Sequence, residues 1–390
     1  MRKSETQKLK KKCILCKFGS SCVDNNCSRS HSEKEVKEAK NKLKEETCYN
    51  WMRYNDCGFN EDCLLLHGFK ELKNYAPYIC ALIKEIQIRK LSKYFDIFPN
   101  GNILIQCEKK SDGFCLLDSN GKLLLNIYPE NEIYYDKFHI IDNETLLFSD
   151  GKILSKAKLI NINENLKIQF TCLKELENKL INDFFKILPN GNIILINGKN
   201  LEIINQNFDL IKSSKIPMDN SKKIDISIYA IFVSENKILI STSFKKTYIY
   251  DFELNLLSSG IDEYFKDNSI IEIDGKIRCL WYEEEEGKEE WKKLGSFKFN
   301  EYSSNMMEKK EKKLKYKITS IYKGSNNQYF IGKIGIVLIF YSTIDLRIVG
   351  YCQFANKLGK VIIKNDKIFV LFSGEKIEIY SINENSNLLL

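Results

Sequence analysis

Histidine is scarce in this chain: it occurs three times in 390 residues, and His139 is the one histidine beyond residue 67. His139 has no cysteine or histidine partner in local spacing, so we expect an ordinary strand residue there. The sequence contains no recognisable Ser/His/Asp set, no phosphate-cradling glycine loop and no paired carboxylates in a catalytic arrangement. These absences predict a protein that is not an enzyme and has no small-molecule substrate.

Long apolar runs are also missing. No stretch of about eighteen apolar residues occurs, so no membrane-spanning helix and no membrane partner are expected. The first residues, Met1-Arg2-Lys3-Ser4-Glu5, lead into further charge, so we expect no secretory signal. Apolar residues still make up 43% of the chain and aromatic residues 12%, which is typical of a folded protein with a sizeable core.

Cysteine is concentrated at the N-terminus, where seven of the thirteen cysteines lie within the first 63 residues. Six of these, with the remaining two histidines, form two groups, which are Cys16, Cys22, Cys27 and His31, and Cys48, Cys57, Cys63 and His67. Three thiolates and one imidazole make a closed tetrahedral zinc site with no open position for water. Because such short segments cannot bury a core, metal binding must supply their folding energy. The sequence therefore predicts two structural Zn²⁺ ions per chain and, since the thiolates need a reducing compartment, a nuclear or cytoplasmic protein that is not secreted.

The spacing of the second group, C-x8-C-x5-C-x3-H, resembles that of the CCCH zinc fingers of the tristetraprolin type. The first group resembles the shorter fingers of polyadenosine-binding proteins, through the stretch Cys16-Lys17-Phe18-Gly19-Ser20-Ser21-Cys22. The first ligand of this group can be assigned in two ways. Cys13 also precedes Cys22, with eight residues between them, and can replace Cys16 as the first ligand. Cys16 is preferred, since Lys17-Phe18-Gly19 then falls where the short fingers carry it.

The resemblance implies binding of single-stranded RNA, which we expect to be messenger RNA, with unstacked bases lying on exposed aromatic rings. Trp51 and Phe59 occupy positions where the family has aromatic residues, whereas Leu65 stands where it has a third. In the first finger Phe18 matches, and Arg29 replaces the second aromatic. The full set of RNA-binding residues expected from this reading is Phe18, Arg29, Trp51, Arg53, Phe59, Lys10, Lys11 and Lys12.

The charge distribution supports an RNA-facing N-terminus. Residues 1–31 contain eight Lys and Arg against two acids, a net charge of +6, and residues 1–91 together contribute +7 of the chain's +8. Residues 48–67, in contrast, have a net charge of −2. The run Lys8-Leu9-Lys10-Lys11-Lys12 suits phosphate contacts or a nuclear-import signal, with a solubilising tail as the plain alternative.

From about residue 92 the pattern changes to short β-runs separated by turn residues. The segment Phe98-Pro99-Asn100-Gly101-Asn102-Ile103-Leu104-Ile105 returns as Leu188-Pro189-Asn190-Gly191-Asn192-Ile193-Ile194-Leu195. Equivalent turns recur near Gly101, Glu144, Gly191, Asn236, Gly275, Asn326 and Asp366. These turns define seven units of about 40–50 residues, each with several short strands. Such repeats predict an all-β chain with a seven-bladed β-propeller.

We therefore expect the following organisation: a basic tail at 1–12, one finger at 13–31, a charged helical linker at 32–47, a second finger at 48–67, a linking helix at 68–91 and the propeller at 92–390. The helical linker is predicted from apolar residues spaced three and four apart, which are Val36, Ala39 and Leu43. The linking helix is predicted from a stripe of apolar residues near one helical face, which are Ile79, Leu82, Ile83, Ile86 and Leu91. The last repeat is short, so its outer strand is expected to be poor or supplied from near the start of the domain. The propeller resembles the WD-repeat type without its Gly-His and Trp-Asp signatures, and the architecture is similar to plant proteins that join CCCH fingers to WD repeats. The predicted function is a zinc-dependent RNA-binding adaptor whose propeller binds a protein partner. The alternative is a scaffold in which fingers and propeller both bind protein.

Overall fold

The computed structural model describes residues 8, 10–24, 26–43, 47–48, 50–51, 57, 63–69, 78–88, 92–107, 113–128, 137–150, 152–162, 165–175, 185–197, 200–217, 228–242, 246–261, 265, 269–283, 296–302, 309–312, 314, 316, 318–324, 326–356, 358–372 and 375–384. The chain divides into two compact units. One comprises Met1–Cys80, Lys333–Lys357 and Asn383–Leu390, and the other comprises Ala81–Gly332 and Leu358–Ile382.

Most of the described chain is β-structure, arranged as a seven-bladed β-propeller. Five blades are four-stranded sheets of consecutive strands. The first blade contains β2 (Ser92–Ile97), β3 (Ile103–Cys107), β4 (Phe114–Leu117) and β5 (Leu123–Ile127), and the second contains β6 (Lys137–Ile140), β7 (Thr145–Ser149), β8 (Ile153–Ile162) and β9 (Asn165–Glu175). The third contains β10 (Phe185–Ile187), β11 (Ile193–Asn197), β12 (Asn200–Ile204) and β13 (Leu210–Lys215), and the fourth contains β14 (Ile228–Val233), β15 (Ile238–Thr242), β16 (Thr247–Tyr250) and β17 (Leu256–Ile261). The fifth contains β18 (Ile270–Ile273), β19 (Lys276–Glu283), β20 (Ser296–Tyr302) and β21 (Lys309–Lys312).

The other two blades share one eight-stranded sheet of order β22-β23-β24-β25-β1-β28-β27-β26. Its strands are β1 (Tyr78–Gln87), β22 (Ser320–Lys323), β23 (Tyr329–Ile334), β24 (Val337–Ser342), β25 (Ile348–Gln353), β26 (Val361–Lys364), β27 (Lys367–Phe372) and β28 (Lys376–Glu384). The predicted seven-bladed fold is confirmed. The predicted turns near Gly101, Gly191 and Gly275 each join the first two strands of a blade.

Burial follows the position of a strand within its blade. The second strands β3, β7, β11 and β15 are buried along their whole length, because neighbouring blades cover both faces. The outer strands β5 and β13 are mostly exposed. The core is a series of apolar clusters, of which one joins Phe98 and Leu104 of the first blade to Phe138 and Leu146 of the second.

The repeated Pro-Asn-Gly-Asn segment forms the same turn in both copies. Gly101 and Gly191 have φ angles of 89° and 82°, a left-handed region that favours glycine. The Gly101 N–H donates to the Phe98 carbonyl at 3.0 Å, and the Gly191 N–H donates to the Leu188 carbonyl at 2.9 Å. In the first copy the Asn100 side chain accepts from the Asn102 N–H at 3.0 Å, as turn-forming asparagines do.

Outside the propeller, the structure contains α1 (Glu33–Leu43) and a one-turn 3-10 helix at Gly19–Ser21. Helix α1 lies in the predicted helical linker. Of the apolar residues spaced three and four apart there, Ala39 and Leu43 are buried. The side chains of Glu33 and Glu35 lie in its first turn and those of Lys40 and Lys42 in its last, which complements the helix dipole.

The helix predicted within 68–91 is wrong: Tyr78–Gln87 is strand β1. Ile86 of the predicted apolar stripe is buried, but Leu82 and Ile83 are 54% and 52% exposed. The last blade has only three strands of its own, so the edge of β28 would present unpaired N–H and C=O groups. Strand β1 covers that edge, and this backbone pairing overrides the helix-like spacing of its side chains. The expectation that the missing strand is supplied from near the start of the domain is confirmed.

Candidate metal centres

The first cysteine-histidine group is assembled within one short loop. The ligand atoms of Cys16, Cys22, Cys27 and His31 all lie within 4.8 Å of one another. The Sγ atoms of Cys16 and Cys27 are 3.8 Å apart, close to the edge of about 3.8 Å that a tetrahedral site with Zn–S bonds of about 2.3 Å requires. The side chains are therefore arranged as the donors of one metal ion.

The histidine of this group is positioned by the start of α1. The Ser32 hydroxyl accepts from the Glu35 N–H at 3.2 Å, and the Glu35 carboxylate accepts from the His31 N–H at 3.1 Å. This is a variant of the capping box, in which side chains satisfy the free donors of a helix N-terminus. The Nε2 atom of His31 is buried and has no hydrogen-bond partner among the described residues. A buried imidazole nitrogen costs free energy unless it is satisfied, and a metal ion among the three thiols would satisfy it.

The second group has the same donor set. The ligand atoms of Cys48, Cys57, Cys63 and His67 also lie within 4.8 Å of one another, and His67 Nε2 is 3.1 Å from Cys57 Sγ. The N–H of Trp51 points at Cys48 Sγ, 3.5 Å away. Burial, together with the neighbouring Cys57 and Cys48 thiols, raises the pKa of Cys63 to about 11. In the absence of metal the Cys63 thiol therefore keeps its proton at neutral pH.

Both groups use the same backbone link between first and last ligand. In the first, Cys16 N–H donates to the Ser30 carbonyl at 2.6 Å; in the second, Cys48 N–H donates to the Leu66 carbonyl at 2.8 Å. In each case the accepting residue directly precedes the histidine ligand. By this shared geometry, Cys16 holds the position of first ligand in its group, as Cys48 does in the second group.

The alternative ligand Cys13 lies outside the first group of described donors. It is half-buried, and that burial raises the pKa of its thiol although Lys40 lowers it. The structure therefore favours Cys16 over Cys13, in agreement with the preferred register.

Three thiolates and one imidazole are the donors that Zn²⁺ takes in structural sites, and four protein ligands leave no position for substrate water. Each group could hold one metal ion that stabilises its loop.

Trp51 is placed differently from a base-stacking residue. Its side chain is 8% exposed, and its ring stacks on the His67 ring with centroids 5.9 Å apart and planes 8° apart. The rings of Phe69 and Tyr351 stand edge-on to it, at 6.2 Å and 6.3 Å. Tyr351 belongs to β25 of the propeller. Because protein rings surround Trp51, this placement argues against the stacking role predicted for it.

The residues predicted to bind RNA in the basic tail and the first finger are on the surface. Phe18 is 68% exposed, and Arg29, Lys10, Lys11 and Lys12 are exposed as well. Phe59 and Arg53, the other residues predicted from the second finger, lie outside the described residues.

Sequence reasoning missed Phe69 and Tyr351. Phe69 is two residues beyond the last ligand and could have been read as an aromatic anchor. Tyr351 is remote in sequence and carries no local signal. His139, expected to be an ordinary strand residue, lies on β6 with its ring edge-on to Phe185 at 4.6 Å.

No family model and no curated protein matches the chain. Solved structures do match. Virginiamycin B lyase from Staphylococcus aureus aligns with a TM-score of 0.53 at 12% identity, covering 78% of this chain and 99% of that one. BBS1N in complex with ARL6DN gives a TM-score of 0.52 at 8% identity over 80% and 99% of the two chains. Chaetomium thermophilum Raptor gives 0.52 at 10% identity over 79% of this chain and 29% of that one.

At these identities the likeness shows the propeller fold alone. One of the matched propellers is a lyase, so the fold does not separate enzymes from binding proteins. The propeller and the two potential metal sites are consistent with a metal-binding or protein-interaction scaffold. In the described part of the chain, no helix has the length and apolar character needed to cross a membrane.

Proposed function

We propose that the chain is a zinc-dependent adaptor whose first finger binds single-stranded RNA and whose propeller binds a protein partner. The observation that carries this proposal is Phe18, whose ring is 68% exposed in a segment with a net charge of +6. Exposing a phenyl ring to water is unfavourable, and a flat ring among cations is the surface on which an unstacked base is held. Zinc in both Cys3His groups keeps the fingers folded.

In this proposal the two fingers have different roles. The first presents exposed Phe18 and Arg29, together with the lysine run at residues 10–12. The second buries Trp51 against Tyr351 of β25 and serves as an anchor on the propeller. Its net charge of −2 is consistent with a role other than holding phosphates.

Protein binding by the propeller is supported by its outer strands. Three of the described outer strands begin with a pair of exposed apolar residues, which are Leu123 and Leu124 in β5, Leu210 and Ile211 in β13, and Leu256 and Leu257 in β17. One of the matched propellers, BBS1N, was solved in complex with ARL6DN. Because zinc thiolates need a reducing compartment, we place the protein in the nucleus or cytoplasm.

The test is RNA binding by the full-length, zinc-loaded chain, measured by fluorescence anisotropy with labelled single-stranded and duplex oligonucleotides. Single strands should bind more tightly, since stacking needs free base faces. Phe18→Ala should lose about 1–3 kcal/mol of binding free energy, the contribution of one stacked base. Val23→Ala is the matched control, because Val23 is 95% exposed in the same finger but has no aromatic face. Absence of single-strand binding by the wild-type chain would refute the RNA-binding part of the proposal.

The second candidate is a scaffold in which the fingers bind only protein. Burial of Trp51 between His67, Phe69 and Tyr351 favours it, because this finger already packs on protein. The same Phe18→Ala variant separates the candidates. Loss of a co-purifying protein with no change in RNA affinity would support the scaffold.

A further inference from the structure

A cleft lies between the two fingers, inside the N-terminal part of the first compact unit. Its volume is about 590 Å³, within the range of about 300–1,000 Å³ typical of ligand sites. Lys10, Cys13 and Ile14 line it from the first finger's side, and Lys40 lines it from α1. Asn50, Leu64 and Leu65 line it from the second finger, whose three cysteine ligands also contribute to its wall.

The lining combines three kinds of chemistry. Lys10 and Lys40 supply two ammonium groups, and no acidic side chain lines the cleft among the described residues. Ile14, Leu64 and Leu65 supply apolar surface, and Ile14 is 54% exposed although it is aliphatic. The Asn50 amide offers both a donor and an acceptor. A nucleotide matches all three, with an anionic phosphate, apolar base faces and a base edge that pairs with an amide.

The surroundings favour a nucleic-acid strand over an isolated anion. Lys11 and Lys12 follow Lys10 on the exposed surface, and Phe18 is exposed in the adjoining first finger. A run of cations beside the cleft suits a polymer that carries one negative charge on every unit.

We infer that the cleft between the fingers receives one nucleotide of a single-stranded RNA, with its phosphates near Lys10 and Lys40 and its base against Ile14, Leu64 and Leu65. This inference rests on the proposed RNA-binding function and adds to it a second contact, separate from Phe18. In this arrangement Leu65 contacts the base in place of the aromatic residue that the sequence lacks there.

A charge-reversal pair on α1 tests the site in the full-length, zinc-loaded chain. Lys40→Glu should weaken binding of a labelled oligoadenylate or oligouridylate by roughly tenfold, because it puts a carboxylate beside the phosphates in place of an ammonium group. Lys37→Glu is the control, because it makes the same charge change on the same exposed helix but does not line the cleft. A much smaller loss is expected for it. Equal losses in the two variants would overturn the inference, since long-range charge alone would then explain them.

Cys13 provides a second readout in the unmodified protein. Saturating single-stranded oligonucleotide should slow alkylation of Cys13 by N-ethylmaleimide severalfold, measured by peptide mass spectrometry. The half-buried Cys80 and Cys115 serve as internal references whose rates should not change.

The outcomes separate the two hypotheses. If the wild-type chain binds no single-stranded RNA, the proposed RNA-binding function is wrong, and the assignment of the cleft is wrong as well. If RNA binds but leaves Cys13 as reactive as before, only the cleft assignment is wrong. Protection of Cys13 by polyglutamate and not by RNA would overturn it in favour of an acidic peptide.

Discussion

The ring of Trp51 stands edge-on to the ring of Tyr351, with centroids 6.3 Å apart and planes at 71°. This contact joins the second finger to strand β25, and Trp51 also stacks on the metal-ligand candidate His67. Strand β1 pairs with the same strand, through Tyr78 with Gly350 and Ile79 with Tyr351. Tyr351 therefore lies where the second finger and the entry of the chain into the propeller both meet β25.

Loss of metal from the second finger should destabilise the β-sheet structure, whereas loss from the first should not. Cys57→Ser frees His67 and, with it, the ring of Trp51 that packs on Tyr351. The thermal midpoint followed by far-ultraviolet circular dichroism should fall by about 1–2 °C for each kcal/mol lost, because the unfolding entropy of so long a chain is large. Cys22→Ser is the matched variant in the first finger. Equal midpoints for the two variants would show that the finger is not coupled to the sheet.

The aromatic contact itself can be measured with a double-mutant cycle. The Phe69 and Tyr351 rings are 5.0 Å apart and edge-on, and neither residue is a ligand candidate. Phe69→Leu and Tyr351→Leu, alone and together, should give a coupling energy of about 0.5–1.5 kcal/mol in chemical denaturation. Phe69→Leu with Tyr94→Leu is the control, because Tyr94 packs on a different ring, Phe138. An equally large coupling energy in the control pair would mean that the cycle measures a general loss of packing and not the contact between the Phe69 and Tyr351 rings.

The ligand groups and the blade turns are predicted correctly because they depend on local sequence patterns. The spacing from Cys48 to His67 determines which four side chains can converge, and the turn at Asn100-Gly101 needs only its own five residues. The strand at Tyr78–Gln87 was misread because its apolar spacing also fits a helix, and the open edge of β28 that decides between them is remote in sequence. Likewise nothing near Trp51 indicates Tyr351, so burial of that ring could not be anticipated.

Metal analysis tests the ligand assignment, including the choice between Cys13 and Cys16. The purified chain should contain two zinc ions, one for each Cys3His group. Cys16→Ser and His31→Ala should each leave one, because they remove a donor from the first group. Cys13→Ser should retain both, since Cys13 lies outside that group. Mass spectrometry under native conditions gives the counts. A single zinc ion in Cys13→Ser with two in Cys16→Ser would reverse the assignment.

Two glycines with similar backbone angles provide a test of the packing in the blades. Gly113 and Gly275 have φ angles of 65° and 67°, so alanine at either position should cost about 1–2 kcal/mol for the left-handed conformation. At Gly275 an added Cβ meets no atom within 4 Å, whereas at Gly113 it would lie 2.1 Å from the carbonyl oxygen of Ile127 in the adjacent outer strand. That oxygen is backbone and cannot move without breaking the pairing of β4 with β5, in which Phe114 lies opposite Ile127. We therefore expect Gly113→Ala to lower the free energy of unfolding by clearly more than Gly275→Ala, as measured by urea denaturation. Equal losses would mean that the hairpin shifts to accept the methyl group and that the close approach of Gly113 to Ile127 is not needed for the blade.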